Sequence, residues 1–316
     1  MLFVFAKNQP LVMILLPIIL VVHLLMGLTF PFFDISDNID PNIFKFSFHF
    51  DGIIGYLLTI GFIFLNAYLI NLIFNSNQFY RRYTYLPSYF YVLISLSFPY
   101  SNYFTGDSLA HTFIILVFLQ VYKLNQNQSA KSNTFNAGLF LSLAAICNPI
   151  YGVFLPCLLI CIRVIRPFVF REYLLLLVGV ILPVFYVFAV YPGFYISLID
   201  FILNKHFLGN IGWVFLGILS AVAVFVFLGL IGLIKYSGTS SIRFKKLRNI
   251  LLYFLFFGGL TLLVITLFGG SVFYASILVV PVSLLLPYAH LALKIKKPIN
   301  LFAWGLLIIG FAKFFI

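Results

Sequence analysis

Apolar runs of about twenty residues follow one another along this chain, each interrupted by a few polar or charged positions. A helix needs about 20 apolar residues to cross a hydrocarbon core about 30 Å thick. The runs are apolar around the whole helix circumference rather than along one stripe, as expected of segments surrounded by lipid or by other helices. The pattern predicts an all-α, polytopic transmembrane helical bundle of about eleven helices. It forms a single integral membrane domain over residues 1–316, with no soluble domain, long loop or internal repeat.

Nine of the expected helices are read directly, at about 11–33, 52–74, 87–99, 107–123, 172–190, 211–234, 250–268, 272–293 and 299–316. Lys7 precedes the first run, but that run is too long for a signal-peptide core and no small-residue cleavage site follows, so an uncleaved first helix is expected. Residues 134–165 are flanked by Lys131 on one side and by Arg163 and Arg166 on the other. An even number of crossings is therefore expected between them. Asn148-Pro149 breaks helix near the middle, which predicts two short helices joined by a tight turn, or a buried re-entrant hairpin.

Composition excludes a soluble fold, since 63% of the chain is apolar and only 8% is charged. The net charge of +12 does not point to nucleic acid, because the basic residues are spread over short inter-helix loops. Positive-inside placement puts the N-terminus and every Lys and Arg but Lys45, Lys205 and Lys313 in the cytoplasm. The same topology puts Asp34, Asp37, Asp40, Asp51, Asp107 and Asp200 outside and leaves Glu172 as the cytoplasmic acid. A multi-pass protein of the cytoplasmic (inner) membrane, working at its outer face, is expected. Membrane lipids are its first partners, and the Arg243, Lys245, Lys246, Arg248 cluster anchors topology and reaches anionic headgroups. Cys157 and Cys161 share a helix face but have no His or carboxylate near them in sequence, so they read as packing residues, as does Cys147.

The candidate chemistry is extracytoplasmic. Asp34, Asp37 and Asp40 stand at i, i+3 and i+6 in the first outer loop, ahead of a Phe-rich stretch with Lys45 and His49. A carboxylate at the lipid–water boundary can act as general base toward a hydroxyl. Two of them can hold a hard divalent ion with water and phosphate oxygens, the one cofactor these residues suggest. The plainer reading is that they cap helix starts. Asp107 and His111 lie at i and i+4 on one helix face, able to orient a proton acceptor, although Asp107 can also serve only as a helix cap. His206 is a further outer histidine. His23, Asn66 and Asn71 fall within membrane depth and are expected to hydrogen-bond to other helices, a functional role being the alternative for the ionisable His23. There is no phosphate loop, nucleophile elbow or dinucleotide fingerprint, which argues against a nucleotide-using cytoplasmic enzyme.

Three stretches within residues 1–170 carry a family resemblance: Phe33-Asp34 after the first helix, Phe98-Pro99 through Thr105-Gly106-Asp107-Ser108, and Gly138 through Asn148-Pro149 followed by Leu155-Pro156. Their layout resembles the membrane half of the C-type glycosyltransferases, the superfamily of protein mannosyltransferases and lipid A aminoarabinose transferases. Residues 171–316 are additional transmembrane helices. The resemblance implies a sugar donor linked to polyprenyl phosphate, Asp34 as catalytic base, and Asp107 with His111 orienting acceptor or donor phosphate. Asp37, Asp40, Lys45, His49 and His206 are then the substrate-binding candidates. The chain departs from the family at Ile35, where a second acid is common, and at Asn148-Pro149, where Lys or Arg often follows Thr. No C-terminal outer domain is expected, so the resemblance implies a minimal or degenerate member. A non-enzymatic subunit of a cell-envelope complex with membrane-protein partners is the second reading, and a transporter the third.

Overall fold

Helices supply all the regular structure among the described residues. The computed structural model of the protein describes residues 2–6, 10–29, 53–98, 104–124, 130–190, 213–238, 240–267, 272–293 and 296–312. Asp34, Asp37, Asp40, Lys45, His49, Asp51, Asp200, Lys205 and His206 lie outside them. In chain order the helices are α1 (Leu2–Phe5), α2 (Leu15–Thr29), α3 (Ile53–Ser76), α4 (Leu86–Ser97), α5 (Gly106–Leu124), α6 (Lys131–Cys147), α7 (Phe154–Ile165), α8 (Phe170–Val190), α9 (Trp213–Gly238), α10 (Ile242–Leu267), α11 (Val279–Leu285), α12 (Pro287–Ala292) and α13 (Lys296–Ala312). Among the described residues six helical segments are long and apolar enough to cross a membrane: Ile53–Ser76, Gly106–Leu124, Phe170–Val190, Ser220–Gly238, Ile242–Leu267 and Tyr274–Ala292.

The expected break at Asn148-Pro149 is present. It separates α6 from a 3-10 turn, Pro149–Val153, that runs into α7. The span expected at 272–293 is present as the candidate crossing Tyr274–Ala292, but it is broken into a 3-10 segment, Val272–Leu278, α11, a turn at Leu286, and α12. Pro287, which has no N–H to give the helical ladder, stands at that break. The helix expected from about 250 begins at Ile242. Ser241 Oγ accepts from the Phe244 N–H at 3.3 Å and caps it. Phe244, Leu247, Ile250, Leu251 and Phe254 are all buried and carry the core stripe through the basic run. The charges are held on the way, with Lys246 Nζ donating to the Ile165 carbonyl at the end of α7 (3.1 Å) and Arg248 to Ser237 Oγ (2.9 Å).

Packing puts α4 and the broken 272–292 segment at the centre, where every residue of α4 is buried and α11 lies against it. Around them α8 exposes Ile181, Phe185 and Tyr186, side chains a bilayer would cover. The pairing of α6 with α8 is closest at two glycines. A Cβ on Gly138 would meet the Leu176 carbonyl oxygen, and one on Gly179 would meet that of Phe135. Small residues that let backbones approach are what helix association in lipid relies on. Cys157 and Cys161 pack as expected, both buried, with sulfurs 4.0 Å apart.

Hydrogen bonds tie loops and helix ends together at both ends of the bundle. At one end lie the α3–α4 loop, the α9–α10 turn, the end of α7 and the end of α12, joined by Tyr80 Oη to the Leu291 carbonyl (3.3 Å) and by the Lys246 and Arg248 bonds. Phe5 belongs to this end too, since its carbonyl accepts from Thr84 Oγ1 at 3.2 Å. The other end carries the start of α5 and the α6–α7 break.

Candidate functional site

Gly106 opens α5, which places Asp107 in its first turn, where the unpaired amides and the helix dipole favour a carboxylate. The α6–α7 break delivers Asn148 to it. The Asn148 main chain is extended, and its Oδ1 accepts from the Ile150 N–H at 3.2 Å, an Asx turn that starts the 3-10 segment. This bond orients the amide so that Nδ2 donates to Asp107 Oδ1 at 2.7 Å. Both side chains are buried, at 3% and 8% exposure. A carboxylate in such surroundings needs a hydrogen-bond donor, and the contact is of charge-assisted length. The bond uses Oδ1 and leaves Oδ2 outside it.

His111 lies one turn deeper on α5, but it is not the partner of Asp107. Its Nε2 faces the Ser276 carbonyl at 3.0 Å, and its Nδ1 faces Tyr91 Oη at 3.0 Å. A carbonyl oxygen only accepts, so Nε2 carries a proton. Neutral imidazole then accepts at Nδ1 from the Tyr91 hydroxyl. Tyr91 in turn accepts from Asn66 Nδ2 at 3.1 Å, and Asn66 Oδ1 accepts from Thr112 Oγ1 at 2.7 Å. The second Asn66 N–H reaches the Ser108 carbonyl at 3.1 Å. Donors thus run in one direction, from Thr112 through Asn66, Tyr91 and His111 to Ser276. The chain links α3, α4, α5 and the 272–278 segment, with every intermediate group buried.

Asn66 meets the expectation of bonding to other helices. Asn71 does not, because its Oδ1 accepts from Asn75 within α3 (3.2 Å), and Asn75 instead makes the outside contact, to the Thr84 carbonyl (3.1 Å). His23 is buried with its ring edge-on to Phe311, centroids 5.9 Å apart. Among the described residues no three His, Cys, Asp or Glu side chains come together as a metal set. The arrangement offers one buried carboxylate held by an amide, able to accept a hydrogen bond from a hydroxyl or amine at Oδ2, beside a relay of hydroxyl and imidazole.

The sequence reading paired Asp107 with His111 and passed over Tyr91, Thr112 and the Asp107–Asn148 contact. The available signal was the helix-breaking Asn148-Pro149, since a polar side chain at an intramembrane break must be satisfied by something. No protein-family model, curated protein or solved structure matches this chain.

Proposed function

We propose that the chain is a glycosyltransferase-like membrane protein that moves a sugar from a polyprenyl-phosphate donor to an acceptor at the Asp107 end. The observation that carries this reading is the 2.7 Å bond from Asn148 to Asp107. It brings the turn of a short helix pair onto the Asp-bearing start of another helix, two of the features whose order along the chain resembles that of C-type glycosyltransferases. In this reading eleven apolar segments cross the cytoplasmic membrane, with the N-terminus in the cytoplasm and the Asp107 end outside.

Asp34 is the base. As the acceptor hydroxyl oxygen attacks the anomeric carbon, its proton passes to Asp34 and the bond from that carbon to the phosphate oxygen breaks. Polyprenyl phosphate leaves and the anomeric configuration inverts. Asp107 holds the acceptor hydroxyl through Oδ2 and is itself held by Asn148. Asp37, Asp40, Lys45, His49 and His206 contribute to substrate binding from the outer loops. His111 supports α5 through Tyr91 and Ser276 rather than touching substrate.

The test is transfer of labelled sugar from a panel of polyprenyl-phosphate hexoses to isolated cell envelopes, with the full chain in proteoliposomes. Wild-type protein should transfer label, and Asp107→Asn should lower the rate about 100-fold, the scale of a misplaced reacting group. Asp34→Asn should abolish transfer with unchanged thermal stability. Wild-type protein inert toward the whole panel, or unchanged transfer by Asp107→Asn, would overturn the reading in favour of a non-enzymatic envelope subunit.

A further inference from the structure

A second polar site lies at the opposite end of the bundle. There a cavity of about 430 Å³ is walled by the end of α3, the α3–α4 loop and the α9–α10 turn. Arg81, Gln78, Tyr80, Tyr83, Tyr236 and Ser241 are among its lining residues. That volume falls within the range of small-molecule sites.

The walls are preformed. Asn75 ties the loop down twice, donating to the Thr84 carbonyl (3.1 Å) and accepting from the Thr84 N–H (3.2 Å). Tyr80 is anchored by its hydroxyl to the Leu291 carbonyl, and Phe79 by its carbonyl to Tyr288 Oη (2.8 Å). The Tyr80 and Tyr236 rings lie 5.2 Å apart, and Tyr236 packs edge-on against Phe244. Gln78 holds its place at the rim with φ 54°, a left-handed conformation that favours glycine.

Charge decides the ligand. Among the described residues the carboxylates are Asp107 and Glu172. Asp107 is at the other end of the bundle, and Glu172 is paired with Arg166 at 3.2 Å. Arg81, which lines this cavity, therefore has no described carboxylate to neutralise it, and Arg82, its chain neighbour, and Arg243, close in the chain to Ser241, are exposed cations too. A planar guanidinium with fixed donors suits a phosphate, while the Tyr83 hydroxyl and the Gln78 amide in the lining suit an attached polyol. The cavity also stands where three candidate spans end or begin, at Ser76, Gly238 and Ile242. In a bilayer that is headgroup depth, where phosphodiesters are concentrated.

We propose that this cavity binds a phosphate ester bearing a small polyol, with Arg81 contacting the phosphate. The proposal is independent of the transferase reading, since it concerns the other end of the molecule.

Purified full-length protein in neutral detergent would be titrated separately with short-chain phosphatidylglycerol and with glycerol 3-phosphate, reading thermal stability. Saturable stabilisation by the lipid alone identifies a lipid headgroup, and equal stabilisation by both identifies a soluble phosphate ester. Either result supports the site. Arg81→Gln should weaken the effective ligand at least tenfold, whereas Arg171→Gln, an exposed cation at the start of α8 and outside the cavity lining, should change it less than twofold. Arg81 is exposed, so its variant should keep the wild-type melting temperature without ligand. No saturable shift with either probe overturns the proposal, as does equal weakening by the two variants, which would mean diffuse attraction to a basic surface.

Discussion

Asn148 reaches across 41 positions of chain to donate a 2.7 Å hydrogen bond to Asp107, and it can do so because a helix stops there. Within a continuous helix Asn148 would not have the extended backbone, φ −150° and ψ 113°, from which it meets Asp107. The break, the Asx turn and the buried carboxylate therefore form one structural unit.

Removing the donor should expose that dependence. Asn148→Ala leaves the Asp107 carboxylate buried without its amide and is expected to destabilise the protein by about 2 kcal/mol. Asn148→Asp should cost more, because two carboxylates would share the site. Thermal unfolding in detergent reads both effects. Equal melting temperatures for wild type and Asn148→Ala would show that Asp107 draws its stabilisation from elsewhere.

The Tyr91–His111 bond should contribute less than its burial suggests. Tyr91→Phe deletes a hydroxyl that both donates to His111 and accepts from Asn66. Hydrogen bonds between membrane helices nevertheless couple by only about 0.6 kcal/mol on average, because the membrane-embedded unfolded state finds other partners. A double-mutant cycle of Tyr91→Phe with His111→Phe should therefore return a coupling below about 2 kcal/mol. A larger value would mean that the directed chain from Thr112 to Ser276 acts as a cooperative unit.

Much of this architecture was legible in the hydrophobic pattern. The segments at 52–74, 107–123 and 172–190 agree with α3, α5 and α8 to within a few residues, because length and apolar content alone define a span. The break at Asn148-Pro149 was legible because proline forbids the helical ladder. The start of α10 was not, since its basic residues resemble a loop. Their helical state depends on Ser241, Ile165 and Ser237, which neighbouring positions do not reveal. The partner of Asp107 was hidden for a related reason. Helical spacing nominated His111 at i+4, but burial turned that ring toward Tyr91 and Ser276.

Glycine substitutions should separate tight from open helix faces. Gly138→Ala and Gly179→Ala each drive a methyl group into a carbonyl oxygen of the facing helix, so a loss of about 1–3 kcal/mol is expected as α6 and α8 are forced apart. A Cβ on Gly259 in α10 meets nothing within 4 Å. Gly259→Ala should instead be neutral or stabilising by up to about 1 kcal/mol through helix propensity. Melting temperatures ranked otherwise would contradict the close approach of α6 and α8.

The end of α3 supports a prediction of the opposite sign. Gln78 donates its N–H to the Asn75 carbonyl, and Phe79 donates to the Phe74 carbonyl, both at 3.1 Å. This pair of bonds is the Schellman closure, and its usual apolar contact is present, with the Phe74 and Phe79 rings 5.4 Å apart and stacked. The closure requires a left-handed residue at position 78, where glycine is the default and Gln has φ 54°. Gln78→Gly should therefore stabilise the fold by about 0.5–1 kcal/mol, while a β-branched Gln78→Val should destabilise it. If the Gln78 amide also serves the adjacent cavity, Gln78→Gly should at the same time weaken phosphate-ester binding. A variant both more stable and a poorer binder would show that the backbone strain at this rim is retained for the ligand rather than for the helix end.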